Sequence, residues 1–310
     1  MAAFILRRFI YALILLFVAS ILIFYGLRVA PGDVTAAIVS ATGTEVLKEN
    51  IREQLGLNEP LATQYFVFVK NAVTGDPGSS LVNGAKISEV IKDSGANTLK
   101  LGIAALILTY ALAIPFGVLA AWRRNSSADQ GVRFLAVLGM GIPNFFLAVL
   151  LIQYFAVDLG WFPVAGPGGV HHLLLPAIVL AMESMAINMR LMRSSMLDEL
   201  SKDYVRTLHA KGLSTRRVIW VHGLRNALVP VIAFAGVVLP LILGYTLIVE
   251  VIFRYEGLGF QLVQSIQKRD YALAQTLALL FTALVIFSNF LADVAHQFVD
   301  PRVRERTRTA

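Results

Sequence analysis

Apolar residues in this chain come in blocks as long as a helix must be to cross a bilayer. That pattern constrains the fold more than any other feature. A hydrocarbon core about 30 Å thick requires roughly twenty consecutive apolar residues in a helix. Such blocks run from Phe9 to Leu27, Thr98 to Ala121, Val132 to Val157, Leu173 to Met192, Ala227 to Val249 and Ala272 to Ala295. Composition agrees, with 57% of residues hydrophobic, 15% charged and a mean hydropathy of +0.69. A soluble domain carries about 25% charged residues. The sequence predicts an all-α polytopic membrane protein with six transmembrane helices.

The first block is read as an uncleaved helix. Arg7 and Arg8 precede it, as they would precede a signal peptide. A signal-peptide core spans only about 7 to 15 residues and ends at a small-residue site. This block is longer and gives way to Arg28 and the turn residues Pro31-Gly32-Asp33. Residues 28–98 are polar and of mixed charge. Within them Glu45 to Leu55 has helical spacing, and Gly75-Asp76-Pro77-Gly78 is a turn.

Charge gives the orientation. The side holding both termini, the 122–131 loop and the 197–225 loop carries 17 Lys and Arg, against 10 on the other side. The smaller set is also spread over a much longer polar length. The positive-inside rule therefore predicts that both termini are cytoplasmic. The net charge of +7 then marks cytoplasmic loops and lipid headgroups, with no nucleic-acid partner expected.

Several chemistries are excluded or disfavoured. The chain has no cysteine, so it has no disulfide and no thiolate metal site. It lacks a phosphate-binding glycine loop followed by Lys-Ser or Lys-Thr, and it lacks a His-Glu-x-x-His pattern. The adjacent pair His171-His172 cannot place both rings on one helical face. No metal, cofactor or catalytic residue is expected in this chain, and it is not read as an enzyme.

Inside the blocks, Pro115, Pro143, Pro176, Pro230 and Pro240 predict bent helices, consistent with a pathway that opens and closes. Met182, Met185, Met189, Met192 and Met196 share one helical face, and methionine suits changing contacts. Glu183 sits within the fourth block. A charge there costs roughly 2.5 to 3.5 kcal/mol on insertion scales, so it should face a cavity or a partner. Glu183, Asn188, Met185 and Met189 are therefore candidate pathway-lining residues.

The stretch Leu197 to Val229 is a polar, basic interval between two apolar blocks. It reads as two short helices about Gly212, which fits the left-handed position past a helix end. Ser201 is a candidate N-cap, with Asp203 in the first turn, and Ser214 caps the second helix. Helices this short need something to pack on. Tyr204, Leu208, Val218, Ile219 and Trp220 offer anchors. A lipid surface and a protein groove satisfy this reading equally.

The same stretch resembles the cytoplasmic coupling loop of bacterial ABC importer permeases. Asp203-Tyr204-Val205-Arg206-Thr207, Ala210-Lys211-Gly212-Leu213 and Arg225-Asn226-Ala227-Leu228-Val229-Pro230 carry the likeness. It is similar to the dipeptide/oligopeptide/nickel subfamily, in the first-named, B-type permease. Pro31-Gly32-Asp33, Leu55-Gly56-Leu57, Ile142-Pro143-Asn144, Gly160-Trp161-Phe162-Pro163, Arg269-Asp270-Tyr271 and Asp300-Pro301-Arg302 extend the likeness over nearly the whole chain. Glu-Ala-Ala is not literally present, and Pro77, Glu183 and Glu256 depart from the family pattern.

The resemblance implies the ABC importer type-1 transmembrane fold. An N-terminal helix and extracytoplasmic segment would occupy residues 1–95, the transmembrane domain 96–296 and a basic tail 297–310. It implies a permease for di- or oligopeptides, with nickel chelates or glutathione as alternatives. The implied partners are a homologous second permease, two ABC ATPase subunits holding ATP and Mg, and an extracytoplasmic solute-binding protein. The ATPase-coupling residues it implies are Asp203, Tyr204, Val205, Arg206, Leu208, Ala210, Lys211, Gly212, Leu213, Arg216, Arg217 and Trp220.

Overall fold

The structure is a computed structural model that describes residues 2–29, 49, 52–53 and 56–299. The turn expected at Pro31-Gly32-Asp33, most of the helix expected over Glu45 to Leu55 and the tail from Asp300 lie outside the described residues. The described residues are almost entirely helical. In chain order the helices are α1 (Ala2–Val29), α2 (Leu61–Thr74), α3 (Ile87–Trp122), α4 (Ser127–Gly141) and α5 (Asn144–Asp158). There follow α6 (Val170–Leu200), α7 (Asp203–Ala210), α8 (Thr215–Ile252), α9 (Leu258–Gln267) and α10 (Tyr271–Val299).

Helices α1, α3, α6, α8 and α10 are long and apolar enough to cross a membrane. The third expected span is different. It is two helices, α4 and α5, that meet at an angle of 107°. The break falls at Ile142-Pro143, where Ile142 leaves helical geometry (φ −90°, ψ 119°) and Pro143 precedes α5. Proline has no N–H to continue the ladder and restricts the residue before it. Among the described residues, the helices long and apolar enough to cross a membrane therefore number five, or six if the bent pair is counted as one. Pro115, Pro176, Pro230 and Pro240 instead lie inside continuous helices. Wider π turns interrupt α5 over Ile152–Asp158 and α8 over Val218–Gly223.

The chain divides at Leu99/Lys100, Phe253/Arg254 and Phe287/Ser288 into two compact units. In the unit made of Lys100–Phe253 and the residues from Ser288 onward, α6 is the central helix and the most buried of the long apolar helices. Its methionine stripe is part of the reason. Met192 and Met196 are fully buried against Val118, Ile219, Ala227 and Val231. A Cβ on Gly117 would lie 2.6 Å from Met192 Cβ, and one on Gly139 would lie 2.9 Å from Ala186 Cβ. Glycine at these two positions lets α3 and α4 reach the α6 backbone.

The other unit is held by polar contacts as well as apolar ones. Asp270 is 2% exposed. It accepts hydrogen bonds from the Ser80 hydroxyl and the Leu81 backbone N–H, and it caps α10 through the Leu273 N–H. Thr98 Oγ1 accepts from the Leu258 N–H at 2.8 Å, and Asn97 donates to the Glu256 carbonyl at 3.0 Å. Helix α2 leans on α1 through Phe24 and Tyr65, whose rings are edge to face at 5.3 Å, and through the Ser20–Tyr65 hydroxyl pair.

Candidate docking surface and intramembrane pocket

Helix α7 begins after Lys202, with Asp203 in its first turn where the helix dipole favours an acid. Ser201, expected as the N-cap, instead closes α6. Its N–H bonds the Leu197 carbonyl at 3.2 Å and its hydroxyl donates to the Asp198 carbonyl at 2.7 Å. The reason is that α6 runs on to Leu200, past the expected end of the apolar block.

Gly212 stands where the sequence places it, at φ +80° just beyond the last turn of α7. Its N–H bonds the His209 carbonyl at 2.9 Å, and the Leu213 N–H bonds the Leu208 carbonyl at 3.2 Å. These two bonds form the Schellman closure, which requires a left-handed residue. Ser214 then precedes α8 in extended conformation.

The second expected short helix is not a separate element. Thr215–Arg217 continues through the π turn into α8. That continuity buries Val218 and Ile219, at 0% and 2% exposure. They are core residues of this chain, so they are not anchors for a partner. Val205 is also buried, and Tyr204, Leu208 and Leu213 are half-buried. Asp203, Arg206, Ala210, Lys211, Gly212, Arg216, Arg217 and Trp220 are exposed. The outward face is thus a short basic ridge around one tight turn.

The residue that holds this ridge is Glu199, which the sequence reading passed over. It is 5% exposed. Its Oε1 accepts from the Tyr204 hydroxyl and from Asn226 Nδ2, both at 2.8 Å, and its Oε2 pairs with the Lys202 ammonium. One carboxylate therefore ties α6, α7 and α8 together. Tyr204 uses its hydroxyl inward. Burial first, and then the hydrogen bond to Glu199, push that hydroxyl above its ordinary value, so it remains a donor at neutral pH. The i, i+3 spacing of Glu199 and Lys202 was a readable signal. Nothing local points to Asn226.

A second buried acid fixes the neighbouring loop. The Asp129 side chain is 0% exposed and takes a bidentate pair from Arg193 at 2.6 and 2.8 Å. It also accepts the Asn125 N–H at 2.9 Å, while Ser126 caps α4 through the Asp129 N–H. Ser-x-x-Asp before a helix is a capping pattern legible in sequence.

Of the candidate pathway residues, Glu183 lines a pocket that is open to the surface. The pocket has a volume of about 300 Å³ and lies at the α4–α5 bend, with Asn144 and Tyr245 among its lining. Tyr245 lines it together with Glu183. Asn188 is fully buried and donates to the Ser184 carbonyl at 2.8 Å, leaving its Oδ1 unpaired. Met185 and Met189 line a separate apolar cavity of about 180 Å³. Among the described residues, no group of three or more His, Asp or Glu is placed to hold a metal ion.

The chain is similar to known proteins in sequence and in fold. Residues 113–305 match the family described as binding-protein-dependent transport system inner membrane component, and residues 1–100 match its N-terminal region. The chain is 40% identical over 314 residues to an oligopeptide transport system permease protein of Bacillus subtilis (strain 168), covering 98% of this chain and 99% of that one. It is 36% identical over 304 residues to a glutathione transport system permease protein of Escherichia coli (strain K12), covering 98% and 99%. Among solved structures, an inward-facing MetNI methionine ABC transporter shares the fold with a TM-score of 0.55. The two are 18% identical, and the match covers 68% of this chain and 96% of that one.

Proposed function

The chain belongs to the binding-protein-dependent transport system inner membrane component family, and from that premise we propose that it forms half of the peptide path in an ATP-driven importer. In this reading both termini and the α6–α8 loop are cytoplasmic. A homologous second permease completes the path. Two ATPase subunits hold ATP and Mg and dock on the α7 ridge, and a solute-binding protein delivers cargo on the far side. The chain itself hydrolyses nothing. Di- and oligopeptides are the favoured cargo. Glutathione, a tripeptide, is the second reading, because a glutathione permease protein is 36% identical.

One observation carries the mechanical part. The exposed α7 turn is joined through Glu199 to the helix on each side of it. A push on α7 is therefore delivered to α6 and α8 together. When the ATPases close, the ridge from Asp203 to Arg217 moves with them. Rigid-body motion of the two long helices then alternates access to the path.

Gly212→Pro tests this reading. Proline fixes φ near −65°, which is incompatible with +80° at this turn. The expected result is loss of uptake with normal membrane insertion, and normal uptake removes the docking assignment. The cysteine-free sequence allows the same sample to test orientation. A single cysteine at Lys211 should react with an impermeant maleimide only from the cytoplasmic face.

A further inference from the structure

Two independent features mark the pocket at the α4–α5 bend as a polar cavity rather than a lipid-facing dent. The first is Glu183. It lies 13 residues into α6, which starts at Val170, or about 20 Å along the helix. A carboxylate at that depth faces protein or water. The second is the break itself. Ile142 and Pro143 interrupt the helical ladder within an apolar block. Non-helical backbone at membrane depth persists only where it is buried in protein or lines a water-filled cavity. Both features line the same pocket.

The electrostatics of the pocket have one sign. The helix ends that meet at the bend, the C-terminus of α4 and the N-terminus of α5, carry opposite partial charges that largely cancel. The net charge is the Glu183 carboxylate, and no lining residue is Lys, Arg or His. Tyr245 lines the pocket beside that carboxylate. Asn144 supplies a further polar group, while Phe145 and Ile248, at 56% and 42% exposure, form an apolar rim. A small cavity in which a few polar groups converge inside an apolar rim is the general form of a ligand site. This one complements a compact cation on an otherwise uncharged body.

We propose that Glu183 and Tyr245 form a binding site for a primary ammonium group of the cargo, either the α-amino group of a peptide or a lysine side chain. The proposal rests on the peptide-permease reading and adds a specificity-determining residue to it. Glu183 accepts the ammonium hydrogen bonds. Tyr245 orients the carboxylate by donating to it, and Asn144 offers a carbonyl oxygen to the same group. Cargo lacking an ammonium leaves the acid uncompensated and passes less readily.

The test uses the complete transporter in liposomes, with its second permease, ATPases and binding protein. Three peptides are compared: trialanine, N-acetyl-trialanine, and N-acetyl-trialanine with lysine at its centre. Uptake of each is normalised to its measured affinity for the binding protein, so selection by that protein drops out. The wild-type uptake ratio of trialanine to its acetylated form should exceed one. In Glu183→Gln that ratio should fall to near one, a drop of up to about tenfold, the size expected on losing a charge-assisted hydrogen bond. Glu183→Asp should restore much of it, and Tyr245→Phe should lower it less. Recovery of uptake by the lysine-containing peptide shows that either ammonium serves, and failure to recover assigns the site to the α-amino group. An unchanged ratio in an assembled Glu183→Gln transporter overturns the site and leaves the permease reading intact. Equal loss for all three peptides also overturns it, assigning Glu183 a structural role. No uptake of any peptide by the wild type would instead sink the peptide-permease reading, and the site with it.

Discussion

Glu199 and Glu183 lie on the same helix, α6, about 24 Å apart along its axis, and they are held in opposite ways. Glu199 is nearly sealed from solvent and takes hydrogen bonds from Lys202, Tyr204 and Asn226. Glu183 is half-buried and lines an open pocket with Tyr245. The first acid is consumed by its own chain. The second keeps acceptor capacity for something else. A carboxylate in a membrane protein is therefore not a functional signal by its depth alone. What separates structure from function is how many of its lone pairs the chain already uses.

The contrast becomes sharper when each acid is neutralised. Asp129 is the extreme consumed acid, with a side chain that is 0% exposed and a bidentate arginine. Asp129→Ala strands the Arg193 guanidinium, itself only 18% exposed. Breaking a buried pair from one side costs about 3 kcal/mol or more. The expected outcome is the largest fall in thermal unfolding midpoint of any single change discussed, measured in detergent. Next come Glu199→Gln and Glu183→Gln, which should move stability in opposite directions. Glu199→Gln weakens charge-assisted bonds and should cost about 2 kcal/mol. Uptake should fall with it, because α7 is no longer tied to both long helices. Glu183→Gln removes a half-buried charge and should stabilise by roughly 1 kcal/mol. Equal destabilisation by both amide variants would erase the distinction between them.

How much of this was legible in sequence depends on how local the cause is. The crossing helices follow from block length, and the Gly212 turn follows from a glycine after a short amphipathic run. Both rest on a few adjacent residues. The Glu199 centre does not, since Asn226 approaches only once α6 and α8 are side by side, 27 residues apart in sequence. Val218 and Ile219 were misread for a related reason. Their apolar character is real, but the π turn carries them into α8 and turns them inward. Proline in an apolar run signals a disturbance without its size. Pro230 and Pro240 lie within a continuous helix, whereas Pro143 marks a 107° break. Glu183 was recognisable as costly, yet Tyr245, which lines the same pocket, sits on another helix and has no sequence signature.

Tyr204 gives the smallest and most discriminating test of the consumed acid. Its aromatic ring is expected from the sequence to anchor a partner, and the structure turns its hydroxyl toward Glu199. Tyr204→Phe keeps the ring and deletes only the hydroxyl. Glu199 would retain Lys202 and Asn226, so the loss should be about 1 kcal/mol or less. The effect should also be local. Backbone amides of α7 should exchange with solvent several-fold faster, while those of α6 above Met192 should not change. Because the hydroxyl's proton is held above its ordinary range, the bond contributes fully below the unfolded tyrosine value near pH 10. It is lost as pH rises through the higher folded value. The exchange difference between wild type and Tyr204→Phe should therefore be constant from pH 6 to about pH 9. A difference that vanishes within that window would mean the hydroxyl is not the donor to Glu199.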